Sequence, residues 1–531
     1  MDSAVLSVAR SRFIWLAAGP TRVWAIARSP SGLWRIILLG SIPIVDIFAG
    51  PGGLGEGFGA LTLNGGNVFE SVAAIEMESS AHSTLTLRHA FRDLDRRGRV
   101  PNVYYRFARG EVEYQALWDD PEMGAALDRA SKRVHRLELG EDTRAESDAL
   151  IKETLQGEDN WVLVGGPPCQ AYSLVGRSRR ANDEAFEEDK KHFLYREYLH
   201  IITTFLPSVF VMENVKGLLS STHGGQPMFE RILDDLRNIG GEAEYEIFSL
   251  TKPGSPETLN PKDFIIRAEE FGVPQQRHRV ILLGIRKDLG RKPRTLVRAD
   301  TQVTVRDAIH DMPAIRSRIS KGIDSAANWV SLRADANDAL ADDGIAALTY
   351  LNDPGPLSND FIHTAPKRSN AEGAAAKFRS WIEDTRLGGF AGHVSRGHMA
   401  SDLQRYFFAS AFALKHGRSP VLSDFSEGLT PNHQSARSEK KSFADRFKVQ
   451  VWDKPSSTVV SHIAKDGHYY IHPDPCQMRS LSIREAARLQ SFPDNYVFLG
   501  NRTQQYTQVG NAVPPYLAHQ IAKIVSELVA K

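Results

Sequence analysis

Trp161-Val162-Leu163-Val164-Gly165-Gly166-Pro167-Pro168-Cys169-Gln170 joins an unbroken apolar run to a glycine–proline turn that ends on a cysteine. Four apolar residues closed by Gly and Pro read as a buried strand, with the thiol at its exit. The chain of 531 residues holds 2 cysteines, Cys169 and Cys476, too few for a disulfide framework and suited to a reducing compartment. A thiol on a rigid turn at a strand end is a candidate nucleophile. The alternative for a lone cysteine is a buried structural thiol.

The same strand-then-turn pattern recurs on both sides of this stretch. Ile42 to Phe48 is an apolar run that ends in Ala49-Gly50-Pro51-Gly52-Gly53-Leu54-Gly55. Ser71 to Ile75 reads as a short strand with Glu76 at its end, followed by a helix over 79–92. After Cys169 come a helix over 192–205, a strand from Ser208 to Met212 ending at Glu213-Asn214, and a helix over 226–239. Val280 to Ile285 is a further strand, preceded by Pro274-Gln275-Gln276-Arg277-His278-Arg279. Strands alternating with helices predict an open α/β sheet with mostly parallel strands, in which ligands bind at the carboxyl ends. The glycine turn, Glu76, Cys169 and Glu213 all fall at such ends.

Residues 95–150 form a charged, helix-prone insertion, and the α/β rhythm fades from about 290 to 445. Helical patterning returns over 482–490 and 515–529. The expected organisation is an N-terminal extension (1–40, poorly ordered), a catalytic domain (41–290), a variable second domain (291–445) and a segment (446–531) that returns to the catalytic domain. A length of 531 residues suits two or three domains.

Lys+Arg of 65 against Asp+Glu of 64 leaves a net charge of +1, so any site for a polyanion must come from local clustering. One cluster is Arg177, Arg179 and Arg180. Another runs from Arg277 and Arg279 through Arg286, Lys287, Arg291, Lys292 and Arg294 to Arg298. The first forty residues carry Arg10, Arg12, Arg22, Arg28 and Arg35 against Asp2, a transit-peptide-like balance, and hold no apolar run of transmembrane length.

Glycine permits positive φ and close backbone approach, so the turn from Asp46 to Gly57 suits a nucleoside cofactor whose ribose hydroxyls Glu76 would bind. A tight strand-to-helix connection is the alternative. Arg277 and Arg279 lie two apart, which on a strand aims both at one face. They serve either a common pocket or a structural Arg–Glu pair, with Arg277 as a brace. His393-Val394-Ser395-Arg396-Gly397-His398 has a ligand-like spacing, but without a nearby cysteine it reads as surface or as contact with a polyanion backbone rather than zinc.

Six segments, in order, resemble the DNA cytosine-5 methyltransferase family. They are Asp46-Ile47-Phe48-Ala49-Gly50-Pro51-Gly52-Gly53, Gly166-Pro167-Pro168-Cys169-Gln170, Glu213-Asn214-Val215, Gln275-Gln276-Arg277-His278-Arg279, Arg484 to Pro493, and Gln508-Val509-Gly510-Asn511-Ala512-Val513-Pro514-Pro515. The resemblance implies a Rossmann-like, mostly parallel sheet of the S-adenosylmethionine-dependent methyltransferase type with a smaller target-recognition domain. It implies Cys169 as nucleophile, with Glu213, Arg279 and Arg277 in the catalytic set. S-adenosylmethionine would be held by Phe48, Gly50, Gly53, Glu76, Met77, Pro168, Asn511 and Val513, and no metal is implied. Gln170, Ser173, Arg177 and Arg179 would face DNA from a closing loop. The sequence departs from the family at Lys191, where relatives often carry arginine, and the acid for the adenine amine is Glu141 or Asp142. The implied enzyme is cytoplasmic, nucleoid-associated and monomeric, acts on double-stranded DNA, and has a restriction endonuclease as a possible companion. A tRNA cytosine-5 methyltransferase and a catalytically silent DNA-binding regulator are the competing readings.

Overall fold

The structure, a computed structural model, describes residues 13–17, 23–28, 34–38, 40–167, 194–223, 226–237, 244–254, 258–342, 361–364, 371–431 and 445–530. Ahead of residue 40, Phe13–Ala17 (β1), Val23–Arg28 (β2) and Trp34–Leu38 (β3) pair as an antiparallel meander. Their aromatic and β-branched content favours extended backbone, a signal overshadowed in the sequence by the arginines.

An eight-stranded sheet organises the chain from residue 42 onward. Its strands are Ile42–Ile47 (β4), Phe69–Ile75 (β5), Val134–His135 (β6), Val162–Gly165 (β7), Val209–Val215 (β8), Tyr245–Phe248 (β9), Ile265–Arg267 (β10) and His278–Arg286 (β11). Across the sheet the order is β9-β11-β8-β7-β4-β5-β6, with β10 also beside β11. Strands β8, β7, β4, β5 and β6 run parallel, and β11 is antiparallel to β8, β9 and β10. The expected α/β sheet is present. Helices relevant to it are Gly53–Gly59 (α1), Ser79–Asp95 (α2), Arg144–Leu155 (α3), Leu194–Phe205 (α4), Met228–Arg237 (α5), Ala400–His416 (α6), Ile483–Leu489 (α7), Arg502–Asn511 (α8) and Pro515–Val529 (α9).

Alternate side chains of a strand face opposite sides, so a strand covered on both faces is apolar throughout. Val162, Val164, Val209 and Val211 pack against Leu54 and Phe58 of α1 and Leu517, Ile521 and Val525 of α9. Leu163, Phe210 and Met212 pack the other way, against Ile151 of α3, Tyr198 and Ile202 of α4, and Phe229 and Ile232 of α5. The stretch read as an insertion therefore supplies a sheet strand, β6, and a core helix, α3. Its helices Asn102–Ala108 and Pro121–Ser131 make a small core with α2 and Leu387.

Beyond β11 the chain builds two further cores, each shared with the returning segment. Val303, Ile309 and Phe378 pack with Val459, Leu489 and Tyr506. Leu403 and Phe407 of α6 pack with Val449 and Ile471. From Val513 onward the returning chain joins the core of the sheet. No described helix is long and apolar enough to cross a membrane.

Candidate active site

Parallel pairing brings the carboxyl ends of β4, β5, β7 and β8 to one edge of the sheet. Antiparallel β11 delivers its amino end there, with Arg279 opposite Val215. The chain leaves β4 toward β5 on one side, and β7 lies on the other. This makes the crevice between β4 and β7 the switch point at which open α/β sheets bind ligands.

The turn after β4 has an uncommon backbone. Phe48 (φ 53), Gly50 (φ 57) and Gly52 (φ 94) all take left-handed conformations, and a non-glycine residue there is rare. A Cβ on Gly50 would meet nothing within 4 Å, so that side of the turn is open. A Cβ on Gly53 would lie 2.2 Å from the Val513 carbonyl oxygen, so the returning segment closes directly on the turn. The Tyr496 hydroxyl donates to the Pro51 carbonyl and holds the turn from behind. Glu76 accepts from the amides of Gly50 and Glu78, each at 2.8 Å, and burial raises its pKa above the ordinary carboxylate value. Met77 beside it is 52% exposed, an apolar surface at the rim, and Asn511 is exposed as well.

Asp46 is the residue that sequence reading passed over. It lies 1% exposed at the end of β4, with no side-chain hydrogen-bond partner among the described residues and only the Gly55 amide close to its carboxyl. Burial pushes its pKa up to about 8; the nearby Gly55 amide opposes this and the charge of Glu76 adds to it. Its signal was available as an acid inside the apolar run Ile42 to Phe48. An open glycine turn, a strand-end carboxylate, an exposed Met and an unpartnered buried acid fit a nucleoside ligand that also carries a cationic end.

At the next strand ends, Glu213 Oε1 pairs with Arg279 Nε at 2.8 Å. A Cβ on Gly166 would lie 2.9 Å from Glu213 Oε2, so the turn that leads to Cys169 begins against this carboxylate. Buried Asn214 reaches the Pro167 carbonyl at 3.5 Å with its Nδ2. Arg277, 2% exposed, points elsewhere and donates to the carbonyls of Val459 (2.7 Å) and Gly510 (3.1 Å). Of the two sequence readings of this arginine, its contacts favour the brace. Pro168, Cys169, Gln170, Ser173, Arg177, Arg179, Arg180 and Lys191 lie outside the described residues. Glu141 and Asp142 sit exposed on a 3-10 turn after β6.

Two sequence expectations change. Much of the basic cluster after β11 is paired internally: Arg286 with Asp288, Lys287 with Glu244, Arg294 with Glu527 and Arg298 with Glu270. His393 and His398 are buried rather than surface groups. His393 bonds Ser482 and the Pro313 carbonyl, and His398 bonds Ser480.

The family described as C-5 cytosine-specific DNA methylase matches residues 135–527. The type II methyltransferase M.Bpa9945I of Bacillus paralicheniformis is 32% identical, over 92% of this chain and 99% of its own. The type II methyltransferase M.AgeI of Thalassovita gelatinovora is 28% identical over 68% of this chain and 82% of its own. A solved prophage-encoded E. coli protein described as a DNA modification methyltransferase shares the fold at a TM-score of 0.51 and 19% identity, covering 92% of this chain and 100% of its own. The chain belongs to the C-5 cytosine-specific DNA methylase family and is, by that membership, a DNA cytosine-5 methyltransferase.

Proposed function

We propose that the protein methylates carbon 5 of cytosine within one short duplex sequence, as the modification enzyme of a type II restriction system, with S-adenosylmethionine as donor. The observation that carries this reading is the Glu213–Arg279 pair set against the start of the turn that leads to Cys169, on the same sheet edge as the open glycine turn. The type II naming of M.Bpa9945I supports the modification role and a companion endonuclease.

Phe48, Gly50, Gly53, Glu76, Met77, Pro168, Asn511 and Val513 would hold the donor, which supplies an electrophilic methyl sulfonium when bound. Cytosine inside a duplex is out of reach of a protein thiol, so the base must be extruded at a cost of a few kcal/mol. Gln170, Ser173, Arg177 and Arg179 would grip the DNA while this happens. The Cys169 thiolate bonds to carbon 6, which makes carbon 5 nucleophilic toward the methyl group. Glu213 shares a proton with the ring nitrogen, which takes it up as the thiolate adds, and accepts from the exocyclic amine, while Arg279 donates to the carbonyl oxygen. Positive charge near the sulfur favours its thiolate form. Loss of the carbon 5 proton and departure of the sulfur restore the aromatic ring. Arg277 acts at one remove by fixing the segment that carries Val513.

The test is bisulfite sequencing of DNA from cells expressing wild type or Cys169→Ala. Methylcytosine at one short motif, absent with the variant, is the expected result. Methyl transfer to tRNA with no mark on DNA would overturn the substrate, and an unchanged mark in the variant would overturn the nucleophile.

A further inference from the structure

Most arginines of the second domain are occupied by carboxylates: Arg306 by Asp453, Arg379 by Asp311, Arg386 by Asp384, Arg405 by Asp402 and Arg418 by Asp424. Arg318 and Lys321 differ. Both are exposed, and neither has an ion-pair partner among the described residues. They share the segment 317–324, a two-residue strand (Arg318–Ile319, paired with Gly397–His398) running into a loop, with Gly322, at φ 103, and with Ile323, which at 75% is the most exposed large apolar side chain described. A loop with two free cations and an apolar tip is complementary to a polyanion whose grooves carry apolar groups.

This loop is also pinned. Arg316 Nη1 bonds Asp324 Oδ1 at 2.8 Å across its base, and the Arg316 guanidinium lies 5.6 Å from the centre of the Trp329 ring. Ser317 Oγ donates to the Arg396 carbonyl (3.0 Å), the Ser320 amide to the His398 carbonyl (2.9 Å) and Asn328 Nδ2 to the Ile323 carbonyl (2.8 Å). Little backbone freedom is left to lose on binding, so contacts made by this loop are not offset by ordering it.

The pinning continues to the catalytic edge. Arg396 donates to the carbonyls of Ile463 (2.6 Å) and Lys465 (3.0 Å). The Val460–Ser461 backbone packs so closely on Gly510 that a Cβ there would lie 2.3 Å from the Ser461 nitrogen. Gly510 and Val459 are in turn held by Arg277, two residues from Arg279. A run of buried arginines thus fixes the position of the exposed loop relative to the site where the base reacts.

We infer that the loop 317–324 is a sequence-reading element for duplex DNA. Arg318 addresses a guanine edge, Ile323 a thymine methyl group and Lys321 a phosphate. The inference rests on the DNA-methyltransferase reading above, and its test separates the two. The full chain and its Arg318→Ala, Lys321→Ala and Ile323→Ala variants are compared for thermal unfolding, S-adenosylmethionine binding, duplex binding across a salt titration, and the motif methylated in a random-sequence duplex library. All three side chains are exposed, so unfolding and S-adenosylmethionine binding are expected to stay at wild-type values. Arg318→Ala and Ile323→Ala are expected to relax one position of the motif by roughly tenfold to a hundredfold. Lys321→Ala is expected to weaken binding to all duplexes alike and to lower the logarithmic salt slope by about one. An unchanged motif together with unchanged binding in all three variants overturns the loop assignment and leaves the activity standing. Loop-dependent duplex binding without methyl transfer by wild type keeps the loop and overturns the activity. Equal competition by double-stranded RNA overturns the assignment to DNA.

Discussion

In the proposed mechanism Glu213 acts as a charged, proton-sharing group, and its partner in the structure is Arg279 at 2.8 Å, on a neighbouring strand end. Glu213→Gln keeps the shape, removes the charge and leaves Arg279 facing a neutral amide. Methyl transfer is expected to fall by at least about a hundredfold, the lower end for a group acting on a proton of the reacting base. S-adenosylmethionine affinity should stay within twofold in the same preparation, and single-turnover transfer of labelled methyl to duplex measures the fall. A loss below tenfold would place Glu213 outside the chemistry. The glycines of the turn offer a second contrast at this scale. At Gly53 an added methyl meets the Val513 carbonyl oxygen, which belongs to backbone and cannot swing aside. Gly53→Ala is expected to cost about 1–3 kcal/mol in overpacking and to weaken cofactor binding. Gly50→Ala meets open space, so only its positive φ is penalised, by roughly 1–2 kcal/mol. Isothermal titration with S-adenosylmethionine, alongside urea unfolding, separates the two; equal effects would mean that Val513 does not close on the turn.

Elements were legible where their signal was long and local, and obscure where it was short or shared. Strands β4, β7 and β8 are apolar runs bounded by turns and β5 is a short run that stops at Glu76; the strand ends bring Glu76, Glu213 and the start of the cysteine turn to one edge, which the sequence pattern was enough to assemble. Strand β6 is two residues long in a charged stretch and owes its place to pairing with β5, a non-local fact. The buried Asp46 was visible as an acid inside an apolar run, but its burial rests on packing, with Gly55 of α1 directly against its carboxyl. Arg277 left two readings open because a strand pattern gives the face but not the partner, and its partners lie 182 and 233 residues away. Arg277→Met keeps much of the volume but strips hydrogen bonds from two buried carbonyls. The expected cost is roughly 2–6 kcal/mol, with the Val459 and Gly510 backbone losing hydrogen-exchange protection before β8 does. Protection lost uniformly, or not at all, would mean the arginine is not what fastens the returning segment.

Across the whole molecule the interior histidines set the response to acid. His89, His393, His472 and His519 are held below the ordinary imidazole range, burial being the first cause in each: to about 3, 4, 3 and 4. An unfolded chain takes up protons near pH 6.5, whereas these folded sites do not until about pH 4 or about pH 3, so their contribution to stability is complete above 6.5 and is lost progressively as the pH falls through 4. The buried carboxylates Glu56 and Glu485 are held by arginines well below their usual range, so they stay ionised over that window and add no loss above pH 4. Asp46 runs in the opposite sense: its raised pKa contributes stability below 3.8 that is lost as the pH rises through about 8. Acid instability between pH 6.5 and 4 is therefore a histidine effect, spread over the sheet side through His89 and His519, and over the chain beyond β11 through His393 and, in the returning segment, His472. Urea unfolding of wild type is expected to show a midpoint that falls steadily over this range, and His393→Gln is expected to fall less steeply. Asp46→Asn, which removes the more strongly raised of the two opposing carboxyls (Glu76 is the other), is expected to gain most over wild type at pH 8 and least near pH 4. A midpoint flat down to pH 4 in wild type would show that these imidazoles are not held as neutral groups, and with them the packing that ties both domains to one returning segment.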